Sequence, residues 1–351
     1  MNYRQDFYPT RSDRDIPYFP RLDPVIYSNE EQRQRGPLCP SLLRSYEENG
    51  YLFFDSFYPE KKIQEFIDDL TDYGNNVDLK AKDQVITEPH ADTIRSIFAI
   101  HELSERFRQL TCETLLLDIA HQLLSSDVYI HQSRLNNKPG FTGTGFKWHS
   151  DFETWHSEDG MPRMRCFSLS ILLTENNALN GPLMLIPKSH RFFIPTRGRT
   201  PKRYWKKSLK NQTVGIPTID SLRDMTNRGR IVAPAGPAGS LIIFDCNTLH
   251  ASSDNLSPYP RCNLFFVYNS IENSLQQPYC GQAPRPEFVA TRQQFAPLQA
   301  LGSDVSTNLE SANLESTNLS STSLAEINDA ETQPQSQAIH GDAKTSERAL
   351  L

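Results

Sequence analysis

The sequence predicts a mainly β protein, an antiparallel barrel or jelly roll backed by a layer of helices. Two textures along the chain predict it. From about residue 40 to 124 apolar residues recur at the three-and-four spacing of amphipathic helices. From residue 127 they gather instead into short runs separated by Gly, Pro and Asn, with no helical pattern between them, which argues against an alternating α/β sheet.

Residues 1–40 are rich in Arg, Asp, Pro and Tyr without a period, and predict an extended arm lying on the domain rather than an element of its own. Residues 42–49 form the first helical pattern and stop at Gly50. Pro59 opens a second, with Ile63, Phe66, Ile67 and Leu70 on one face, and residues 102–124 supply one or two more. Strands are expected at 128–130, 166–173, 183–186, 241–244 and 264–268. Residues 41–296 thus make one domain. The tail 297–351 is Ser-, Thr-, Asn- and Glu-rich, lacks the apolar surface to offset ordering entropy, and reads as disordered. Four pentapeptide-like copies from Thr307 to Glu326 give at most one coil, too few for a repeat array to stack.

Composition narrows the functional classes. A net charge of -6, with Lys and Arg scattered rather than gathered in a long stripe, leaves little footprint for nucleic acid or acidic lipid, so a small molecule is the expected partner. The first residues are polar, and no stretch approaches the roughly 20 apolar residues of a membrane span. The six cysteines form no CxxC pair, which fits a reducing, cytoplasmic setting.

The chemistry starts at His149-Ser150-Asp151. On an extended segment the i, i+2 spacing puts both side chains on one face as two cis ligands. A distant histidine would complete a two-histidine, one-carboxylate triad, which holds Fe(II) and leaves positions for a bidentate co-substrate and dioxygen. His250 is the best placed, because it follows a turn and a buried apolar run and so emerges at a strand end, where a barrel mouth sits. Arg261, one hairpin later, returns to the same mouth and can clamp a carboxylate through a bidentate contact. The His-x-Asp/Glu pattern alone is weak. The chain holds four, with rivals at His90-Ala91-Asp92, His156-Ser157-Glu158 and His340-Gly341-Asp342, against roughly one by chance.

What singles out His149 and Asp151 is the block around them, residues 146–165, FKWHSDFETWHSEDGMPRMR. It resembles, over all twenty positions, the motif FxWHSDFETWHxEDGMPxMR of the ectoine hydroxylases, a branch of the phytanoyl-CoA-hydroxylase-like 2-oxoglutarate oxygenases. By segment order the resemblance runs from about residue 5 to 295. It implies a double-stranded β-helix (cupin-like) core, a homodimer, and hydroxylation of ectoine to 5-hydroxyectoine, with 2-oxoglutarate and O2 converted to succinate and CO2. It also implies a place in compatible-solute synthesis and stress response. Retention of Asp151, where related halogenases carry a small residue, argues for hydroxylation.

By the same resemblance His149, Asp151 and His250 ligate iron, Lys138 and Arg261 contact 2-oxoglutarate with Asn136 and Ser252 beside them, and Gln132 and Trp155 handle substrate. Gln132 and Asn136 share a strand at even spacing, hence one face. Ectoine carries a delocalised cation and a carboxylate on a small ring, so aromatic faces at Phe244 and Phe265 and a carboxylate partner at Arg285 fit its needs. Two other readings stay open: a hydroxylase of this superfamily with a different small substrate, and a non-redox cupin-like metal protein, against which the cations Lys138 and Arg261 weigh.

Overall fold

A computed structural model describes residues 5–301 except 76, 77, 79, 80, 89–92 and 294. Its centre is a seven-stranded sheet in which every neighbouring pair is antiparallel. The strand order across it is Tyr51–Phe54, Leu241–Asp245, Cys166–Leu172, Arg261–Ser270, Val128–Lys138, Ile94–Phe98 and Val85–Thr87. A smaller sheet holds Phe146–His149, His250–Ser252 and Leu183–Leu185.

Period-two alternation divides the large sheet into two faces. Phe167, Leu169 and Ile171 from one strand, Leu241 and Ile243 from the next, and Leu264, Phe266 and Tyr268 from a third join the main core against the helices. Ile242, Phe244, Leu172 and Phe265 point the other way and pack with Leu183 and Leu185 of the small sheet. The result is a double-stranded β-helix with a helical support layer.

The helices form where expected. Pro40–Asn49 begins with Pro at its first turn and ends on Gly50, whose φ of 78° suits the left-handed cap that glycine adopts without strain. Glu60–Asn75 and Thr114–Leu124 follow, the latter burying Leu116, Leu117, Ile119, Ala120, Leu123 and Leu124. Helices also form outside the expected spans, two of them of six residues or more. The arm contains Glu30–Arg35, begun by an Asn29–Gln32 capping box with acids in its first turn and arginines in its last. Ile219–Gly229 lies among the strands, started by the Thr218 side chain and burying only Met225.

The strand Val128–Lys138 is much longer than the apolar run at 128–130 foretold, and it contains the feature that orients the site. Along its pairing with Arg261–Ser270, Tyr268 faces Ile130 but Val267 faces Gln132, so His131 is an inserted residue. Before this bulge Val128 and Ile130 face the helical layer; after it Leu135 does. The even-numbered Gln132, Arg134, Asn136 and Lys138 are thereby turned to the barrel side. The tail beyond residue 301 and its pentapeptides lie outside the described residues.

Candidate metal centre and cavity

His149 closes its strand and pairs directly across the small sheet with His250, which puts the two imidazole centroids 4.2 Å apart. The chain stays extended only to Ser150, which caps the helical turn Asp151–Thr154 by accepting from the Glu153 amide at 3.4 Å. Asp151 is therefore the first helical residue, not part of an extended His-x-Asp segment, yet its Oδ1 lies 3.7 Å from Nε2 of His149 and 3.7 Å from Nε2 of His250. All three ligand atoms fall within 4.8 Å of one another.

The imidazoles are prepared for a metal by their other nitrogens. His149 Nδ1 donates to the Lys147 carbonyl at 2.7 Å, and His250 Nδ1 to the Thr248 carbonyl at 3.0 Å. A carbonyl only accepts, so the proton sits on Nδ1 and each Nε2 offers its lone pair to the shared point. Burial, and after it the neighbouring His250 ring, push the His149 imidazole down to about 4, which keeps it neutral near pH 7. Two imidazole nitrogens and one carboxylate on one side of a point are a donor set that suits a ferrous ion with open positions.

Asn247 joins the two ligand-bearing segments. Its Oδ1 accepts from Ser150 Oγ at 3.0 Å, and its amide nitrogen donates to the carbonyls of His190 and Phe192 at 3.0 and 2.9 Å. The Phe152 amide adds a bond to the Cys246 carbonyl at 2.9 Å.

Next to the metal site lies an excess of positive charge. Lys138, fully buried, donates to Ser252 Oγ at 2.8 Å and to the Ser253 carbonyl, and Ser252 sits two residues beyond His250 on the same strand. Arg261 pairs in register with Lys138, donates to Asn136 Oδ1 at 2.7 Å, and leaves its buried Nε without a partner. Arg134 lies over the rings of Phe265 at 4.9 Å and Phe146 at 5.6 Å. None of the three is in an ion pair with any described residue. Burial, then Arg261 and Arg95, drive the Lys138 ammonium down to about 6, and burial first of all brings the Arg261 guanidinium to about 10. Unneutralised cations in a low-dielectric pocket are costly, and a bound anion would remove that cost.

A cavity opens over the centre, lined among others by Gln132, Arg134, His149, Asp151, Trp155 and Arg285. Trp155 begins the π-helical turn Trp155–Asp159 and meets the His131 ring edge-on, with centroids 5.1 Å apart. Asp159, at the end of that turn, receives two hydrogen bonds from Arg285, at 2.7 and 2.5 Å. Burial opposes the Arg285 charge, but Asp159 outweighs it and holds the guanidinium more basic than usual.

The comparisons agree with this geometry. The sequence profile of phytanoyl-CoA dioxygenase (PhyH) matches residues 46–262. The ectoine dioxygenase of Stutzerimonas stutzeri is 45% identical over 293 residues, which are 84% of this chain and 96% of that one. That of Halomonas elongata is 46% identical over 288 residues, 82% and 86%. The chain belongs to the ectoine dioxygenase branch of the phytanoyl-CoA dioxygenase family. The crystal structure of EctD from S. alaskensis with 2-oxoglutarate and 5-hydroxyectoine superposes with a TM-score of 0.76 at 40% identity, covering 85% of this chain and 99% of that one. The form of that enzyme with bound Fe gives 0.75. The carbocyclase SnoK, at 17% identity and a TM-score of 0.52, shares the fold alone.

In this family member the residues read from the sequence fall into three groups. His149, Asp151 and His250 converge on one point. Lys138, Arg261, Asn136 and Ser252 form the adjoining hydrogen-bonded cluster. Gln132, Trp155 and Arg285 line the cavity, with Gln132 anchored to the Val289 carbonyl at 2.6 Å, while Phe244 and Phe265 belong to the barrel core, Phe244 edge-on to His250 at 5.2 Å. Of the rivals, His156 is structural: it bonds the Met161 carbonyl and Asp6 and stacks on Tyr279, and Glu158 pairs with Arg11. His90 and His340 lie outside the described residues.

Sequence reasoning missed Arg134, Asn247, Asp159 and the arm residue Arg11. Arg134 was within reach, midway between Gln132 and Asn136 in the same even series. Arg11 gives no local signal, because its partners Glu153, Glu158 and Thr200 are far along the chain.

Proposed function

We propose that this protein is a ferrous, 2-oxoglutarate-dependent dioxygenase that hydroxylates ectoine to 5-hydroxyectoine, with succinate and carbon dioxide as co-products. The observation that carries the reading is the pairing of a two-histidine, one-aspartate centre with buried cations that form no ion pair with any described residue. Relatives named ectoine dioxygenase at about 45% identity over most of the chain agree with it.

His149, Asp151 and His250 would hold the iron, which when bound supplies the activation of dioxygen for insertion into a C–H bond. Lys138 and Arg261 would hold the carboxylate of 2-oxoglutarate that lies far from the iron, with Asn136 and Ser252 fixing the direction of each cation. Arg285, oriented by Asp159, meets the ectoine carboxylate. Trp155 offers its face to the delocalised ring cation, and Gln132 offers its carboxamide oxygen while Val289 holds its nitrogen. Arg134 closes the wall between the two ligands. These residues position the reactants and keep water out, so that oxidant is not spent without substrate.

The catalytic domain spans residues 41–296 in this reading, with 1–40 as an arm strapped across it and 297–351 as a tail outside the chemistry. A homodimer in the cytoplasm, working in compatible-solute synthesis under stress, completes it. Among the described residues no helix is long and apolar enough to cross a membrane. The test is anaerobic reconstitution with Fe(II), followed by ectoine, 2-oxoglutarate and oxygen, with hydroxyectoine and succinate measured together. Equal yields are expected. Succinate without hydroxyectoine would point to another substrate, and neither product to another reaction.

A further inference from the structure

The cations of this chain are less evenly spread than its composition suggests. Residues 197–210 contain seven, at Arg197, Arg199, Lys202, Arg203, Lys206, Lys207 and Lys210, and no acid, in a protein whose net charge is -6. Three are answered locally: Arg197 by Asp15, Arg199 by Asp13, and Lys206 by Asp83 at 3.9 Å. Lys202, Arg203, Lys207 and Lys210 are exposed and form no ion pair with any described residue.

This segment is part of the cavity wall. Tyr204, Ser208, Leu209 and Gln212 line it. The loop is folded into a definite shape there, because the Tyr204 hydroxyl accepts from the amides of Thr213 and Val214 at 2.5 and 2.6 Å. Trp205 packs edge-on against Phe288, and Arg11 ties Thr200 to Glu153 and Glu158 at the root. The unpaired cations therefore alternate in sequence with residues that wall the opening. Inside, Arg134 at the cavity and Arg261 beyond it form no ion pair with any described residue, while Arg285 is answered by Asp159.

We propose that Lys202, Arg203, Lys207 and Lys210 steer the 2-oxoglutarate dianion into the cavity and set its capture rate. The inference rests on the reading of the site as 2-oxoglutarate-dependent. Clustered like charges repel one another, so a solubilising role would be served better by dispersing them. A surplus of one sign of charge beside the mouth of a cleft raises the encounter rate of an oppositely charged ligand by roughly 10-fold or more at low ionic strength. The effect must distinguish the two organic ligands. A dianion feels it strongly, whereas a zwitterion of zero net charge such as ectoine feels almost none.

The experiment compares the full-length protein with the variant Lys202→Gln, Arg203→Gln, Lys207→Gln, Lys210→Gln, both loaded with Fe(II) under argon. Stopped-flow mixing with 2-oxoglutarate follows the visible absorption of the ferrous keto-acid chelate. At 20 mM salt the variant should bind about 10-fold more slowly, with an unchanged dissociation rate. The gap should close towards 500 mM salt, where the screening length is only a few ångströms. KM for ectoine and the maximal turnover rate should stay as in the parent. A control variant with Arg35, Arg44, Lys61 and Arg108 changed to Gln has the same net charge and should bind at the parent rate. Equal association rates for parent and loop variant at low salt overturn the proposal, as does an equal slowing in the control. A parent protein that never develops the chelate band overturns instead the reading of the site.

Discussion

At the scale of single residues, the metal ligands carry the sharpest expectation. His149→Ala, Asp151→Ala or His250→Ala should each abolish hydroxylation and iron retention, with loss beyond the ~10–100-fold that removing an outer partner costs. Metal analysis of protein shown by circular dichroism to be folded checks it, and normal turnover by any of the three would overturn the centre. Arg261→Ala should chiefly raise the 2-oxoglutarate requirement, by about 3 kcal/mol or roughly 100-fold, since it strips a buried anion of its partner.

Lys138 gives a pH dependence whose sign can be worked out. In the empty site its ammonium titrates at about 6, held down by burial and by Arg261 and Arg95. A bound dianion favours the charged form and so raises that value. Affinity is then full below pH 6 and declines as pH rises from there toward the higher pKa of the complex, with a proton taken up on binding. Calorimetry in buffers of differing ionisation enthalpy should detect that proton, and Lys138→Arg should flatten the profile.

At the scale of elements, Asn247 matters because it ties the Ser150 turn to the turn before His250. Asn247→Ala should weaken iron binding by ~10-fold while leaving Lys138 and Arg261, which lie on other strands, largely as they were. A competitive chelator titration reads the affinity. Ser150→Ala removes both that tie and a helix cap, so it should cost stability as well, about 1 kcal/mol in denaturant unfolding.

Elements also show why part of the fold was legible in the sequence and part was not. Helices and strands that bury an apolar face, such as Thr114–Leu124 and Cys166–Leu172, announce themselves by period. The strand Val128–Lys138 fades from view after Ile130, because from there its barrel-side positions carry polar groups for ligands instead of apolar ones for a core. Phe146–His149 is hidden because four residues are too few for a period to show. The metal centre was readable because two ligands and their motif are contiguous. The arm's clasp was not, since Arg11 meets partners more than 140 residues away.

At the scale of the whole molecule, acid should destabilise the fold through its buried histidines. Burial lowers His101 and His190, like His149, from the usual 6.5 to about 4. The unfolded chain takes up these protons first as pH falls, so stability is full above about 6.5 and drains between there and pH 4. The metal-free protein should lose about 5 kcal/mol between pH 7 and pH 5 in urea unfolding. Iron removal should lower the melting temperature at pH 7, and by less at pH 5, where protons compete for the same nitrogens.

The single inserted residue at His131 has a consequence for how this chain can vary. It sets the phase of everything downstream on its strand, so Gln132, Arg134, Asn136 and Lys138 are delivered together or withheld together. Exchanging any one of them alters one contact. Deleting one residue between them would turn the remainder toward the helices and blank an entire wall of the pocket at once. An exchange on this strand is therefore a local event, whereas a change in its length is not.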